Sequence, residues 1–219
     1  MPWATAATLQ EQRRAAVLSG TAHEWLALCE HDPVITLGRG ARPEHVLLDR
    51  DELARRGITL ARASRGGDVT YHGPGQLVGY PVFRVQRGIV AHVEAMASAV
   101  VTLLQDLGIV SEWRRDRPGV WVGREKICAF GVHVAHRVAI HGFALNVTIP
   151  LESFAAIVPC GLPDAGVTSI ARLLGRAPPL TAVAVAAADA LARAFARPLV
   201  RRPAPDCQGA ASIDTMRAT

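Results

Sequence analysis

VWVGREKICAFGVHVAHRVAIHGFALNV, residues 120–147, reads as three strands in succession. Residues 120–122, 127–134 and 138–147 are apolar, β-branched runs joined by the polar turns Gly123-Arg124-Glu125 and Ala135-His136-Arg137, which predicts an antiparallel meander. Working outward, residues 77–85 form a further strand. Residues 90–107 carry Val93, Met96, Ala97, Val100, Val101, Leu104 and Leu107 at helical spacing, with Gly108 as the stop, so this helix packs on a sheet.

Toward the N-terminus, residues 58–61 read as a strand entering a glycine-rich loop, 65–76, and 51–56 as a short helix ended by Gly57. Residues 25–29 and 34–37 suggest a hairpin about His31-Asp32-Pro33, and 8–18 a helix stopped by Gly20. Toward the C-terminus, Thr168 is expected to cap a short helix over 169–174, and Pro178-Pro179 precedes an alanine-rich helix over 182–196. The expectation is one α+β domain over 1–202, its mainly antiparallel or mixed sheet flanked by helices, followed by a disordered tail over 203–219. Regular strand-helix alternation is missing, which argues against a doubly wound fold. Gly66-Gly67 and Gly73-Pro74-Gly75 fail the spacing of a dinucleotide fingerprint or a Walker loop.

The chain has 219 residues, half of them hydrophobic, enough for a sizeable core. No apolar run approaches the roughly 18 residues of a membrane span, so a cytoplasmic location and no membrane partner are expected. Cys29, Cys128, Cys160 and Cys207 form no Cys-x-x-Cys pair, so no metal site or disulfide framework is encoded locally. A net charge of +5 suits an acidic partner. Scattered arginines and an aromatic content of only 5% argue against nucleic acid. Of 24 basic residues, 23 are arginine and only Lys126 is lysine. A lysine kept where arginine is so widely used suggests a role that needs a proton lost; a solvated lysine surviving by chance is the alternative.

The segment Arg65-Gly66-Gly67-Asp68-Val69-Thr70-Tyr71-His72-Gly73-Pro74-Gly75-Gln76 reads as a binding loop. Its glycines let backbone approach a ligand, while Arg65, Tyr71 and His72 supply donors. Cys160 sits in the turn Val158-Pro159-Cys160-Gly161 ahead of a helix, a setting that lowers a thiol pKa, although an inert thiol stays open on the residues alone. Cys128 and Cys29 read as small face or core residues. If the fold brought Lys126 beside Cys160, its ammonium would stabilise the thiolate. Of the candidate partners His72, His133 and His141, only His72 is expected in a loop.

RGGDVTYHGPGQLVGYPV (65–82), GREKICAFGVHV (123–134), IHGFALNV (140–147) and IVPCGLPDAGVTSI (157–170), in that order, closely resemble the lipoyl(octanoyl)transferases. The resemblance extends through EHDPVITLGRGA (30–41). It implies a fold similar to the catalytic domain of biotin and lipoate protein ligases. It further implies an acyl pocket lined by Arg65 through His72, by Ala129, Phe130 and Gly131, and by Gly142, Phe143 and Ala144. Cys160 would be the acyl-thioester nucleophile, and Lys126 the lysine that lowers its pKa and moves protons. Octanoyl-acyl carrier protein would be the donor. Lipoyl domains of 2-oxoacid dehydrogenase E2 subunits and the glycine cleavage H protein would be the acceptors, with no nucleotide, cofactor or metal. Members of that family usually start with a strand ahead of the first helix, here nearly absent, and the tail from Pro203 has no counterpart among them. The competing readings are an ATP-dependent lipoate or biotin ligase and a non-catalytic scaffold that binds acyl carriers.

Overall fold

The structure is a computed structural model and describes residues 1–158, 166–203 and 211–215. The chain opens with α1 (Trp3–Ser19), β1 (Trp25–Cys29), β2 (Val34–Leu37), α2 (Arg50–Arg55), β3 (Thr59–Arg62), β4 (Val69–His72) and β5 (Gln76–Val82). There follow α3 (Ile89–Asp106), β6 (Glu112–Arg114), β7 (Gly119–Val122), β8 (Glu125–Ala135), β9 (Val138–Asn146) and β10 (Gly166–Val167). The last elements are α4 (Ile170–Leu174), α5 (Leu180–Ala194), β11 (Leu199–Pro203) and β12 (Ala211–Thr215). Short 3-10 turns occupy Pro43–His45 and Leu151–Ala156.

The meander forms as predicted: β8 and β9 pair antiparallel from Cys128↔Leu145 to Ala135↔Val138. The large sheet runs β11-β12-β1-β5-β9-β8-β7-β6, and β10 adds to β8 in parallel. Strand alternation divides the residues of β5 between two faces. Val78, Tyr80 and Val82 pack toward Ala6 and Val17 of α1, whereas Leu77 joins Phe143, Leu145 and Ile127 in the larger core. α3 and α5 cover that second face. Met96 and Leu104 of α3 are fully buried there, so truncating either to alanine costs about 2–5 kcal/mol. α3 is long and apolar enough by composition to cross a membrane, but Met96, Ala97, Val100, Leu103 and Leu104 are buried in this core.

Several sequence expectations are corrected. Strands β1 and β2 do not form a hairpin: β1 pairs with β5 and β12, whereas β2 pairs with β3 and β4 in a separate three-stranded sheet. The turn between them crosses from one sheet to the other, fixed by buried His31, whose Nε2 lies 2.6 Å from the Tyr80 hydroxyl. The middle of the glycine-rich loop, Val69–His72, is a strand, β4, so His72 is a strand residue. α1 begins at Trp3 because Pro2 supplies the N-cap and its fixed φ suits a helix entry. Thr168 is not the cap of α4: it is fully buried, and the Ser169 hydroxyl accepts from the Arg172 N–H at 3.2 Å. Within the stretch expected to be a disordered tail, residues 211–215 form β12, which satisfies the otherwise open edge of β1.

Candidate active site

The small sheet faces the large one across an open cleft of about 540 Å³. One wall is the start of the glycine-rich segment with β4, contributing Arg65, Gly67, Asp68, Val69, Thr70 and His72. The opposite wall is the centre of the meander, Ala129, Phe130 and Gly131 of β8 and Gly142, Phe143 and Ala144 of β9. Trp3, Val78, Tyr80 and His141 complete it and were not expected. Gly66 and Tyr71 do not line it. The Gly66 N–H instead donates to the Val132 carbonyl at 2.9 Å, pinning the loop to β8. Tyr71 turns its ring into the core of the small sheet, against Phe154 at 5.7 Å.

Arg65 and Asp68 of the first wall are held from behind. Arg65 donates from Nη2 to the Thr36 carbonyl at 2.7 Å and hydroxyl at 2.8 Å, so its guanidinium is fastened to β2. The close approach of Arg65 to β8 requires Gly131, where a Cβ would lie 2.9 Å from the Arg65 Cδ. Asp68 accepts from the Arg42 and Val69 N–H groups at 3.0 and 2.8 Å and pairs with the His45 imidazole.

Three buried histidines in and behind the cleft are held neutral. Burial, then the nearby His31, pushes His72 down to about 3; burial, then Arg65, pushes His141 down to about 3; burial pushes His31 down to about 4. His141 has a left-handed φ of 61°, a cost for a non-glycine residue. Its N–H donates to the Gln10 side chain of α1 at 2.7 Å, and its Nε2 meets the Ser64 hydroxyl at 2.9 Å.

Lys126 is 7% exposed, which overturns the solvated-lysine alternative. Its Nζ donates to the Pro118 carbonyl at 3.3 Å and lies 5.0 Å from the centroid of the Trp121 ring. A chain of buried hydrogen bonds ties its backbone to the cleft. The His72 Nδ1 meets Gln76 Oε1 at 2.7 Å, the Gln76 amide donates to Asn146 at 3.0 Å, and the Asn146 amide donates to the Thr168 carbonyl at 2.9 Å. The Thr168 N–H then donates to the Lys126 carbonyl at 3.0 Å. Sequence reading missed this chain because its members lie 4 to 70 residues apart along the sequence.

Cys160 lies outside the described residues, as does Cys207. The flanks of residues 159–165 are anchored: the Val158 N–H donates to the His45 carbonyl at 2.8 Å, and Gly166 and Val167 pair with Glu125 and Lys126. Cys128 and Cys29 are buried, and burial pushes the Cys128 thiol well up, which suits a core residue and not a nucleophile. Among the described residues, no group of three or more His, Cys, Asp or Glu is placed to hold a metal ion.

Residues 2–192 match the family model of the lipoyl protein ligase A/B catalytic domain. The chain belongs to that family. It is 47% identical over 186 residues to the octanoyltransferase of Chloroflexus aggregans, covering 81% of this chain and 84% of that one. It is 43% identical over 195 residues to the octanoyltransferase of Myxococcus xanthus, covering 85% of this chain but only 55% of that longer one. Among solved structures, the bipartite lipoate protein ligase of Thermoplasma acidophilum superposes with a TM-score of 0.70 at 21% identity, over 88% of this chain and 79% of that one. That likeness shows the fold. The α+β architecture is therefore the lipoyl ligase catalytic fold, and the cleft between its two sheets is lined by Arg65, residues 67–70, His72, residues 129–131 and residues 142–144 of the expected pocket.

Proposed function

We propose that this member of the lipoyl protein ligase A/B family is an acyltransferase that moves an octanoyl or lipoyl group from acyl carrier protein to a lysine of a lipoyl domain, through a thioester on Cys160. The observation that carries the reading is the placement of the chain's sole lysine. Lys126 is buried against Trp121, and its own backbone pairs with β10, the strand that closes the segment bearing Cys160. The Lys126 ammonium stabilises the Cys160 thiolate, which attacks the donor thioester; the carbonyl–sulfur bond to the carrier breaks, and the carrier thiolate takes the Lys126 proton and leaves as a thiol, so that Lys126 is neutral in the acyl-enzyme. The acceptor lysine amine then attacks the acyl-enzyme; the amide bond forms, the C–S bond breaks, and the proton lost by the amine leaves through Lys126 in its neutral form. The alkyl chain lies in the cleft between Arg65 and the β8–β9 wall.

A thioester is already activated, so no nucleotide is consumed, in contrast to an adenylate-forming ligase. Relatives at 43–47% identity carry the name octanoyltransferase, whereas the ligase structure is similar at only 21%. Lipoyl domains of 2-oxoacid dehydrogenase E2 subunits and the glycine cleavage H protein are the acceptors in this reading, and action in the cytoplasm is part of it. The basic surface, net +5, suits an acidic donor. Incubating the full chain with octanoyl-acyl carrier protein, without ATP, tests all of this by intact mass. An octanoyl gain that Cys160→Ser abolishes is expected; an unmodified wild type, or a gain that requires ATP, overturns the proposal.

A further inference from the structure

We propose that Trp3, at the start of α1, is the end wall of the acyl cleft and limits the acyl chain the protein accepts to about eight carbons. The inference rests on reading that cleft as the acyl pocket. Its floor crosses three neighbouring strands, from residues 129–131 of β8 through 142–144 of β9 to Val78 and Tyr80 of β5. The reacting groups belong to the β8 side. Lys126 lies on β8, and the segment bearing Cys160 rejoins the sheet through β10, which pairs with Glu125 and Lys126. Trp3 lines the same cleft at the opposite, β5 side, against the Tyr80 hydroxyl.

Neighbouring strands lie about 4.8 Å apart, so the floor from β8 to β5 measures roughly 10 Å. Carbon–carbon bonds of about 1.5 Å advance an extended chain by about 1.25 Å each, which makes an octanoyl group about 9 Å long and a dodecanoyl group about 14 Å. The first fits between the reacting end and the indole; the second does not. The floor at that end is solid, because Val78, Tyr80 and Ala144 are buried against Ala6 of α1 and Cys29 of β1.

A wall that measures chain length has to stay in place, and the half-buried indole is held from behind by a directed relay. The His31 Nδ1 faces the Met1 carbonyl at 3.0 Å, and a carbonyl only accepts, so the neutral ring carries its proton on Nδ1. Its Nε2 then accepts from the Tyr80 hydroxyl at 2.6 Å. That leaves the Tyr80 oxygen with lone pairs, and the Trp3 indole N–H donates to it. The Met1 carbonyl also accepts from the Asp32 N–H at 3.3 Å, which ties the backbone just ahead of α1 to the turn after β1. Both the ring of Trp3 and the start of its helix are thereby fixed to the β1 side of the cleft.

Free fatty acids titrated calorimetrically into the full chain, below their micelle thresholds, test the wall apart from any transfer. In the parent, affinity should rise about fourfold per methylene from hexanoate to octanoate and then level off, since a buried methylene contributes about that factor. Trp3→Ala should let the rise continue, so that dodecanoate binds at least about tenfold tighter than it does to the parent. Trp3→Phe, which keeps a ring at the helix start, should fall between the two. A parent that binds no fatty acid, a parent whose affinity climbs unbroken through dodecanoate, or a Trp3→Ala chain with the parent's ceiling overturns the proposal. Intact-mass loading of Cys160 from octanoyl-acyl carrier protein separates this inference from the acyl-transfer reading: the expected binding order without an adduct overturns transfer and upholds the wall, and an adduct with the wrong order does the reverse.

Discussion

The Cε of Lys126 passes over Gly119 so closely that a Cβ at position 119 would lie 2.8 Å from it. The bare backbone of Gly119 on one side and the Trp121 ring on the other form a slot that fixes the direction of the buried amine. Gly119→Ala should leave β7 intact and push the ammonium off its line. Octanoyl transfer is expected to fall about tenfold or more, since small misplacements of a catalytic group are costly. Unchanged turnover in a folded Gly119→Ala protein would show that the slot does not set the amine's position.

Lys126→Arg keeps the charge but supplies a group that does not give up its proton and is too broad for the slot. Turnover should drop by about 10²–10⁴, the usual worth of a positioned acid-base group. Single-turnover kinetics should show slow aminolysis of any acyl-enzyme that forms. Wild-type rates would remove Lys126 from the chemistry.

Asn146 is the middle link between the cleft and Lys126. Asn146→Ala leaves the Gln76 amide and the Thr168 carbonyl without their buried partner, a loss of about 1–3 kcal/mol. Denaturant unfolding should record that loss. Kinetics should record a fall in kcat larger than any rise in KM, because the slack falls on Lys126 and not on the cleft wall. A variant as stable as the parent would mean that water or a repacked side chain replaces the link.

What the sequence discloses follows the range of the interactions. The meander of residues 120–147 and α3 are written in local periodicity, and Lys126 stands out because arginine fills every other basic position. The cleft walls at residues 129–131 and 142–144 were reached through family resemblance, not through any pattern that marks a wall. The false hairpin of β1 and β2 arose because two adjacent apolar runs joined by a tight turn look the same whether they pair or part. Only the distant partners, β5 for one and β4 for the other, distinguish the cases. The pairing of β12 with β1 joins residues 211–214 to 25–28, and neither segment names the other. His141 looked like an ordinary face residue because its left-handed φ depends on Gln10, 131 residues away.

Stability should be lost in acid above the range where carboxylates titrate. His31, His72, His92 and His141 have folded pKa values of about 4, 3, 4 and 3 against an ordinary 6.5, chiefly because burial penalises the imidazolium. The unfolded chain therefore binds more protons than the folded one as pH falls below about 6.5, and the linkage relation makes stability decrease in that direction. Each histidine contributes up to about 1.4 kcal/mol per pH unit, and four acting together approach about 5 kcal/mol per pH unit near pH 5. With a typical stability of about 5–15 kcal/mol, the fold should hold above pH 6.5 and unfold between about pH 6 and 4, with proton uptake on unfolding. Denaturant midpoints measured across that range, beside His92→Phe, check the origin: the variant should show a shallower slope by one histidine. A flat profile from pH 7 down to 4.5 would show that these imidazoles meet water or acceptors in the folded protein.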